Sequence, residues 1–98
     1  MKTYIDKVTE LVAERTGIKN GNLVHLYALL VLVRGKEISL NNVHDAWALD
    51  MNFRPQSAQG FGHEHKCIVP FEELSAEIQY KDKKYADILR AVAEELGI

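Results

Sequence analysis

Apolar residues recur at helical spacing in four parts of the 98-residue chain, and two of these parts precede residue 35. Thr3 and Asp6 have the spacing of a capping box, and the amphipathic segment that follows is predicted to end at Gly17. A second helix is predicted to begin with Asn22 as its cap and to run to Arg34. Because this segment is apolar nearly all round, we expect it to be the central, buried helix.

The third helical pattern begins near residue 40, where Ser39 or Asn41 can act as the N-cap. Val43, Trp47 and Met51 follow at positions i, i+4 and i+8, so they share one face of the helix. This face is predicted to pack on the core.

Residues 52–66 lose all periodicity and contain two glycines and a proline, which predicts a long polar loop. A short extended segment over residues 67–71 follows, and Pro70 removes a backbone donor, so any strand there is short or at a sheet edge. The last helix has the clearest pattern, and Gly97 lies at its expected C-cap. Its apolar stripe consists of Tyr85, Ile88, Leu89, Val92 and Leu96.

These patterns predict a mainly α fold, α-rich with a small β contribution, in one compact domain over residues 1–98. Its parts are four main helices, one long loop and a short extended segment before the last helix. The formal net charge of −2 gives no sign of binding to a nucleic acid polymer or a membrane surface. The longest apolar run, residues 23–33, is too short to cross a bilayer, which takes about 20 residues. A single cysteine and the lack of a signal-peptide pattern favour a cytoplasmic setting.

Metal binding is one candidate chemistry for the stretch around the only cysteine. His63, His65 and Cys67 alternate along the chain, and with His44 they would give a nitrogen and sulfur set suited to zinc. The spacing matches no established zinc signature, so a solvated histidine pair beside a buried thiol is the preferred interpretation. Cys67 also leads into an apolar segment, which disfavours a reactive thiolate. We therefore expect no metal, no cofactor and no enzymatic activity.

A binding pocket is the second candidate. His44 and Trp47 are three residues apart and are neighbours on a helix surface. The loop after this helix carries Arg54, His65 and Lys66, so an aromatic floor with cationic walls would suit a nucleobase with phosphates. From spacing alone, the simpler interpretation is preferred, in which Trp47 packs into the core.

Two ordered motifs, VHDAWA and HKCIVPFEELSAEIQYKD, resemble the RyR domain, the repeat named after the ryanodine receptor. The matching residues are His44, Asp45, Trp47, His65, Ile68, Val69, Pro70, Phe71, Leu74 and Asp82. The resemblance covers residues from about 41 to 98 and leaves residues 1–38, the N-terminal helical pair, unexplained. Lys66 stands where the family has proline, and the family's Gly-Trp-x-Tyr-Gly segment is missing from the loop.

The resemblance implies a stand-alone bacterial or phage RyR-like domain that binds a nucleotide or nucleotide-derived signal without enzymatic activity. It implies that Trp47 stacks the base, that His44 and Asp82 contact base or sugar, and that a single repeat forms a homodimer. Charge and position add Arg54, His65 and Lys66 facing the phosphates. The alternative is a structural or protein-interaction domain with Trp47 in its core.

Overall fold

The computed structural model describes residues 2–52 and 68–98, and these residues form four α-helices. The helices are α1 (Tyr4–Thr16), α2 (Gly21–Arg34), α3 (Leu40–Asn52) and α4 (Ala76–Leu96), with 3₁₀ turns at Gly35–Glu37 and Phe71–Glu73. The prediction of a mainly α, compact single domain with four main helices is confirmed. No strand occurs within the described ranges, and the part of the predicted extended segment that they include, residues 68–71, pairs with nothing as a strand. The predicted long loop falls almost wholly outside them.

The first helix begins and ends where the sequence indicates. The Asp6 backbone N–H donates to Thr3 Oγ1 over 3.1 Å, and the Thr3 backbone N–H donates to the Asp6 carboxylate over 3.0 Å. At the other end, Gly17 has φ +74°, a left-handed conformation that a residue with a Cβ rarely adopts.

The caps of the later helices follow the same chemistry at slightly different positions. Asn20, not Asn22, caps α2, and its side-chain oxygen accepts the Asn22 backbone N–H. Ser39 caps α3 through a reciprocal pair of bonds with Asn42. Ser75 caps α4 in the same way that Ser39 caps α3, by accepting a backbone N–H three residues on. Polar caps therefore fix all four starting points.

The core lies where α1, α2 and α4 meet, and α3 closes it from the side. Its largest fully enclosed side chains are Tyr27, Ile38, Leu89, Val12, Val31, Val43 and Val92. Burying each aliphatic side chain of this size contributes about 1.5–3 kcal/mol. The expectation that α2 is the central, buried helix holds for only one of its faces, because Leu29 and Val33 are 54% and 67% exposed.

Two long-range hydrogen bonds hold α2, α3 and α4 in register around the site described below. Asn20, at the start of α2, donates to the Asp50 carboxylate on α3 over 2.9 Å. Arg90 on α4 donates through Nε to the carbonyl of Ile38, between α2 and α3, over 2.7 Å. Within the described ranges, no helix is both long and apolar enough to cross a membrane.

Candidate functional site

A cavity of about 280 Å³ lies where α2, α3 and α4 come together. It is lined by Tyr27, His44, Trp47, Ile78, Lys81, Asp82 and Tyr85. The α4 members stand at i, i+3, i+4 and i+7, so a single face of that helix forms one wall. This wall is apolar at Ile78 and Tyr85 and charged at Lys81 and Asp82.

Aromatic rings make up much of the cavity wall. The rings of Tyr27 and Tyr85 lie 6.1 Å apart between centroids, tilted by 35°. The Trp47 indole is stacked on the His44 imidazole, with centroids 5.7 Å apart and planes 26° from parallel. Trp47 is half-buried and packs against the core as well as lining the cavity. Trp47 therefore packs on the core, as one interpretation of the sequence expects, and also lines a cavity, as the other expects.

His44 is buried, with 2% of its surface exposed, and both sides of its ring are engaged. Its Nε2 atom lies 2.6 Å from the backbone carbonyl oxygen of Val69, and the Phe71 ring meets it edge-on at 6.2 Å. Because a carbonyl oxygen only accepts, Nε2 must carry the hydrogen in this bond. The contact ties the segment before α4 to α3 and fixes the ring's orientation.

Among the described residues, Asp82 carries an enclosed carboxylate oxygen that lacks a hydrogen bond. Its Oδ2 atom lies 3.6 Å from His44 Nδ1, which is an ion-pair separation but too long for a hydrogen bond. This oxygen is fully enclosed and has no hydrogen-bond partner among residues 2–52 and 68–98. Burial raises the pKa of Asp82, and the charge of His44 opposes this rise. Since the side chain is 14% exposed, that exposure belongs to its other atoms.

Two further groups define the polarity of the cavity. Burial, followed by the nearby charge of Asp82, strongly raises the pKa of Tyr27, so its phenol stays neutral at physiological pH. Lys81 is exposed at the edge of the cavity. The cavity thus offers a neutral hydroxyl, a carboxylate and a cationic rim.

A second, more open cavity of about 390 Å³ also borders His44. It is lined by His44, Asp45, Ala48, Ile68, Val69 and Pro70. His44 thus lines both cavities, and among the described residues the second cavity has no aromatic ring other than that of His44 and no buried carboxylate.

Residues 2–52 and 68–98 form a small α-helical domain with a cavity lined by aromatic and polar side chains. A family model described as a domain of unknown function, DUF7701, matches residues 3–94, so the chain belongs to that family. No curated protein and no solved structure matches the chain.

The identification as an RyR domain is wrong, because the matched family is a different one and includes the first two helices. The resemblance rested on ten positions, and several of these side chains pack against neighbouring residues in this fold. Trp47 and Phe71 pack against His44, and Pro70 immediately precedes a 3₁₀ turn. Residue types selected for packing of this kind can occur in the same order in unrelated domains, so the two motifs were not specific enough to identify the family.

The structure brings together three of the six predicted ligand-binding residues, namely His44, Trp47 and Asp82. The other three, Arg54, His65 and Lys66, lie outside the described residues, as do three of the four members of the weighed zinc set. Groups of three or more potential ligands are absent from the described ranges.

Sequence reasoning missed Lys81, Ile78 and Tyr27 as cavity residues and placed Tyr85 only on the apolar stripe of the last helix. The available signal was Asp82, a carboxylate in register with the apolar stripe of α4, four residues after Ile78 and three before Tyr85. An ionisable residue on a core-facing helical position indicates either a partner or a site.

Proposed function

We propose that the chain is a non-enzymatic small-molecule binding module that takes a nucleotide or a nucleotide-derived signal, with the base in the cavity beside Trp47. The observation that carries this proposal is the Asp82 carboxylate in the aromatic-lined cavity, whose enclosed Oδ2 has no hydrogen-bond partner among the residues that the structure describes. Natural proteins leave few buried polar atoms unsatisfied, so each one calls for an explanation. A ligand that donates N–H groups to this carboxyl group supplies one.

The shape and composition of the cavity favour a flat nitrogen heterocycle. Its 280 Å³ lies just below the range of about 300–1,000 Å³ that is usual for drug-sized ligands, so one ring system fits better than a large molecule. Stacking a base on an aromatic side chain contributes about 1–3 kcal/mol. Carboxylates accept hydrogen bonds from the amino groups of bases, and Lys81 at the rim suits a phosphate.

The proposal of binding without catalysis follows from how His44 is used. Its Nε2 already donates to the Val69 carbonyl, so this nitrogen is not available as a general acid or base for a substrate in the cavity.

A thermal-shift screen tests the proposal, with adenine, guanine and pyrimidine nucleotides, cyclic dinucleotides and ADP-ribose derivatives as probes. Wild type should melt at a higher temperature with one class of probe, and Asp82→Asn and Trp47→Leu should lose that shift. Asp87→Asn is the matched control, because Asp87 lies five residues on in the same helix but is exposed and paired with Lys83 and Arg90. If no probe shifts the folded wild type, or if all variants respond alike, the proposal is wrong.

The second candidate is a protein-interaction domain, and the exposure of Leu29 and Val33 on α2 favours it. In that case Trp47 serves the core, and its fluorescence should be blue-shifted and unchanged by every nucleotide. The homodimer was expected only from the RyR resemblance, so it remains an untested prediction without that support. Sedimentation velocity tests it. The cytoplasmic setting is also still a prediction.

A further inference from the structure

Residues 68–74, here called the strap, lead towards α4, and none of them is buried. The 3₁₀ turn of the strap is closed by two backbone hydrogen bonds. The Glu73 N–H donates to the Pro70 carbonyl over 2.9 Å, and the Leu74 N–H donates to the Phe71 carbonyl over 3.1 Å. Because packing encloses none of its residues completely, the position of the strap depends on a few specific contacts with the helices.

Two side-chain donors hold the backbone of the strap. His44 of α3 donates through Nε2 to the Val69 carbonyl over 2.6 Å, and Gln79 of α4 donates through Nε2 to the Phe71 carbonyl over 3.0 Å. The Phe71 ring also meets the His44 ring edge-on, with centroids 6.2 Å apart. The strap is therefore anchored to α3 at His44 and to α4 at Gln79.

The strap in turn satisfies His44, of which only 2% is exposed. A carbonyl oxygen only accepts, so Nε2 carries a hydrogen in this contact whether or not Nδ1 carries one as well. If the strap moved away, this N–H group would lose the Val69 carbonyl, and an enclosed donor without a partner is unfavourable. Loss of the strap would therefore release the imidazole from its present orientation.

The same imidazole forms part of the wall of the first cavity. The Trp47 indole is stacked on it, with centroids 5.7 Å apart, and also lines that cavity. A change in the orientation of His44 would thus change the surface beside which the proposed base lies. The strap and the cavity are linked through this one ring.

We infer that the strap is a positioning element for the cavity: when docked on α3 and α4, it holds the His44 and Trp47 rings in the arrangement that binds the ligand. Gln79 and Phe71 are positioning residues, because they dock the strap but are not among the described residues that line the cavity. The inference rests on the proposed function and deepens it, because it adds a means of regulating the same site. A ligand that binds only the docked form stabilises the docked strap, and a loosened strap weakens binding, because such coupling is reciprocal.

The first arm of the test needs no ligand and compares Gln79→Met with Lys84→Met. Methionine is close to glutamine in length but donates no hydrogen bond, and Lys84 is exposed five residues further along α4. Gln79→Met should speed hydrogen exchange of the Glu73 and Leu74 amides about 2- to 10-fold, as the loss of one hydrogen bond predicts. Acrylamide should also quench the fluorescence of Trp47, the single tryptophan of the chain, more strongly. Lys84→Met should change neither readout.

Phe71→Leu tests the other anchor, with Glu72→Gln as the control at an exposed position of the strap. Phe71→Leu should change both readouts in the same direction as Gln79→Met, and the control should change neither. Unchanged strap amides in both anchor variants would overturn the inference. Faster exchange with unchanged quenching of Trp47 would overturn it as well, because the strap would then loosen without moving the cavity wall.

The second arm follows the Glu73 and Leu74 amides of wild type during titration with AMP, GMP or CMP. If the nucleotide binds only the docked form, exchange through undocking slows by the factor 1 + [L]/Kd, which is about 100-fold at 100 times the Kd. Strap amides whose exchange is unaffected by a bound nucleotide would overturn the coupling and leave the proposed function standing. If none of the three nucleotides binds, their proposed binding and its coupling to the strap fail together, while the first arm still decides whether the strap positions the cavity wall.

Discussion

The two halves of α4 differ in how completely their inward face is satisfied. In the C-terminal half, Leu89, Val92 and Ala93 are at most 1% exposed. Arg90 on the same half donates a hydrogen bond through Nε to the carbonyl of Ile38. In the N-terminal half, the same face borders the cavity and carries Asp82, whose enclosed oxygen has no hydrogen-bond partner within residues 2–52 and 68–98. The C-terminal half is therefore packed as core. The N-terminal half instead borders a cavity and holds a carboxyl group whose ionised form is disfavoured by burial. This difference is the reason for placing the proposed binding site in the N-terminal half.

The largest effect should come from emptying the core half. Leu89→Ala should lower the free energy of unfolding by about 2–5 kcal/mol, because it leaves a cavity in the fully enclosed core. Ile78→Ala, which trims a partly exposed side chain beside an existing cavity, should cost clearly less. Urea unfolding of both variants measures the contrast, and equal losses would contradict the division of α4 into two halves.

The next effect has the opposite sign. Asp82→Asn should stabilise the ligand-free protein by about 1 kcal/mol at neutral pH, because it removes a poorly satisfied buried charge. In a domain of this size, that corresponds to about 4–8 °C in melting temperature.

The stability change caused by Asp82→Asn should depend on pH, in a direction set by the pKa shift of Asp82. The pKa of Asp82 in the folded protein is raised above its unfolded value, so the penalty exists above the folded pKa and is gone below the unfolded one. The gain from Asp82→Asn should therefore shrink on acidification. Asp87 provides the reverse case, because its bond to Lys83 lowers its pKa and its small stabilisation is lost as pH falls. Melting curves of Asp82→Asn and Asp87→Asn from acid to neutral pH measure this contrast. If the difference in melting temperature from wild type changes with pH in the same direction for both variants, this reasoning is wrong.

Arg90→Lys should have a smaller effect on the core half. Lysine cannot reproduce the Nε bond to the Ile38 carbonyl, and losing one such bond costs about 0.5–1.5 kcal/mol. Urea unfolding should show a lower midpoint without a change in slope. An unchanged midpoint would mean that this bond does not stabilise the junction between α2 and α3.

The smallest effect on stability belongs to the rim of the cavity. Lys81→Ala and Lys84→Ala both alter exposed lysines of α4, so each should change stability by less than about 0.5 kcal/mol. Only Lys81 lines the cavity. Its loss should therefore weaken nucleotide binding more than nucleoside binding, most clearly at low salt. Identical calorimetric effects of the two variants would argue against a phosphate at this rim.

Local patterns were enough to predict most of the fold. Thr3 with Asp6, Gly17 and Gly97 act through contacts within one turn of chain, so their sequence spacing is sufficient. The exposure of Leu29 and Val33 could not be predicted, because it depends on how neighbouring helices cover α2.

The candidate site was predictable only in part, because it depends on contacts across the chain. His44 and Trp47 were found from their spacing on one helix, whereas Asp82 was reached through a resemblance to the wrong family. The pairing of His44 with Asp82 joins residues 38 positions apart, and the Val69 carbonyl that fixes the imidazole is a backbone atom of no particular residue type. Neither leaves a local trace in the sequence.

The most direct test of the central claim is a thermal-shift comparison of wild type and Asp82→Asn, each with and without the nucleotide panel. Without ligand, the variant should melt several degrees above wild type. At a ligand concentration 100 times the dissociation constant, wild type should gain about 2.7 kcal/mol and the variant much less. A variant that melts below wild type, or that responds to nucleotides as wild type does, would show that Asp82 belongs to the core and that the cavity is not a nucleotide site.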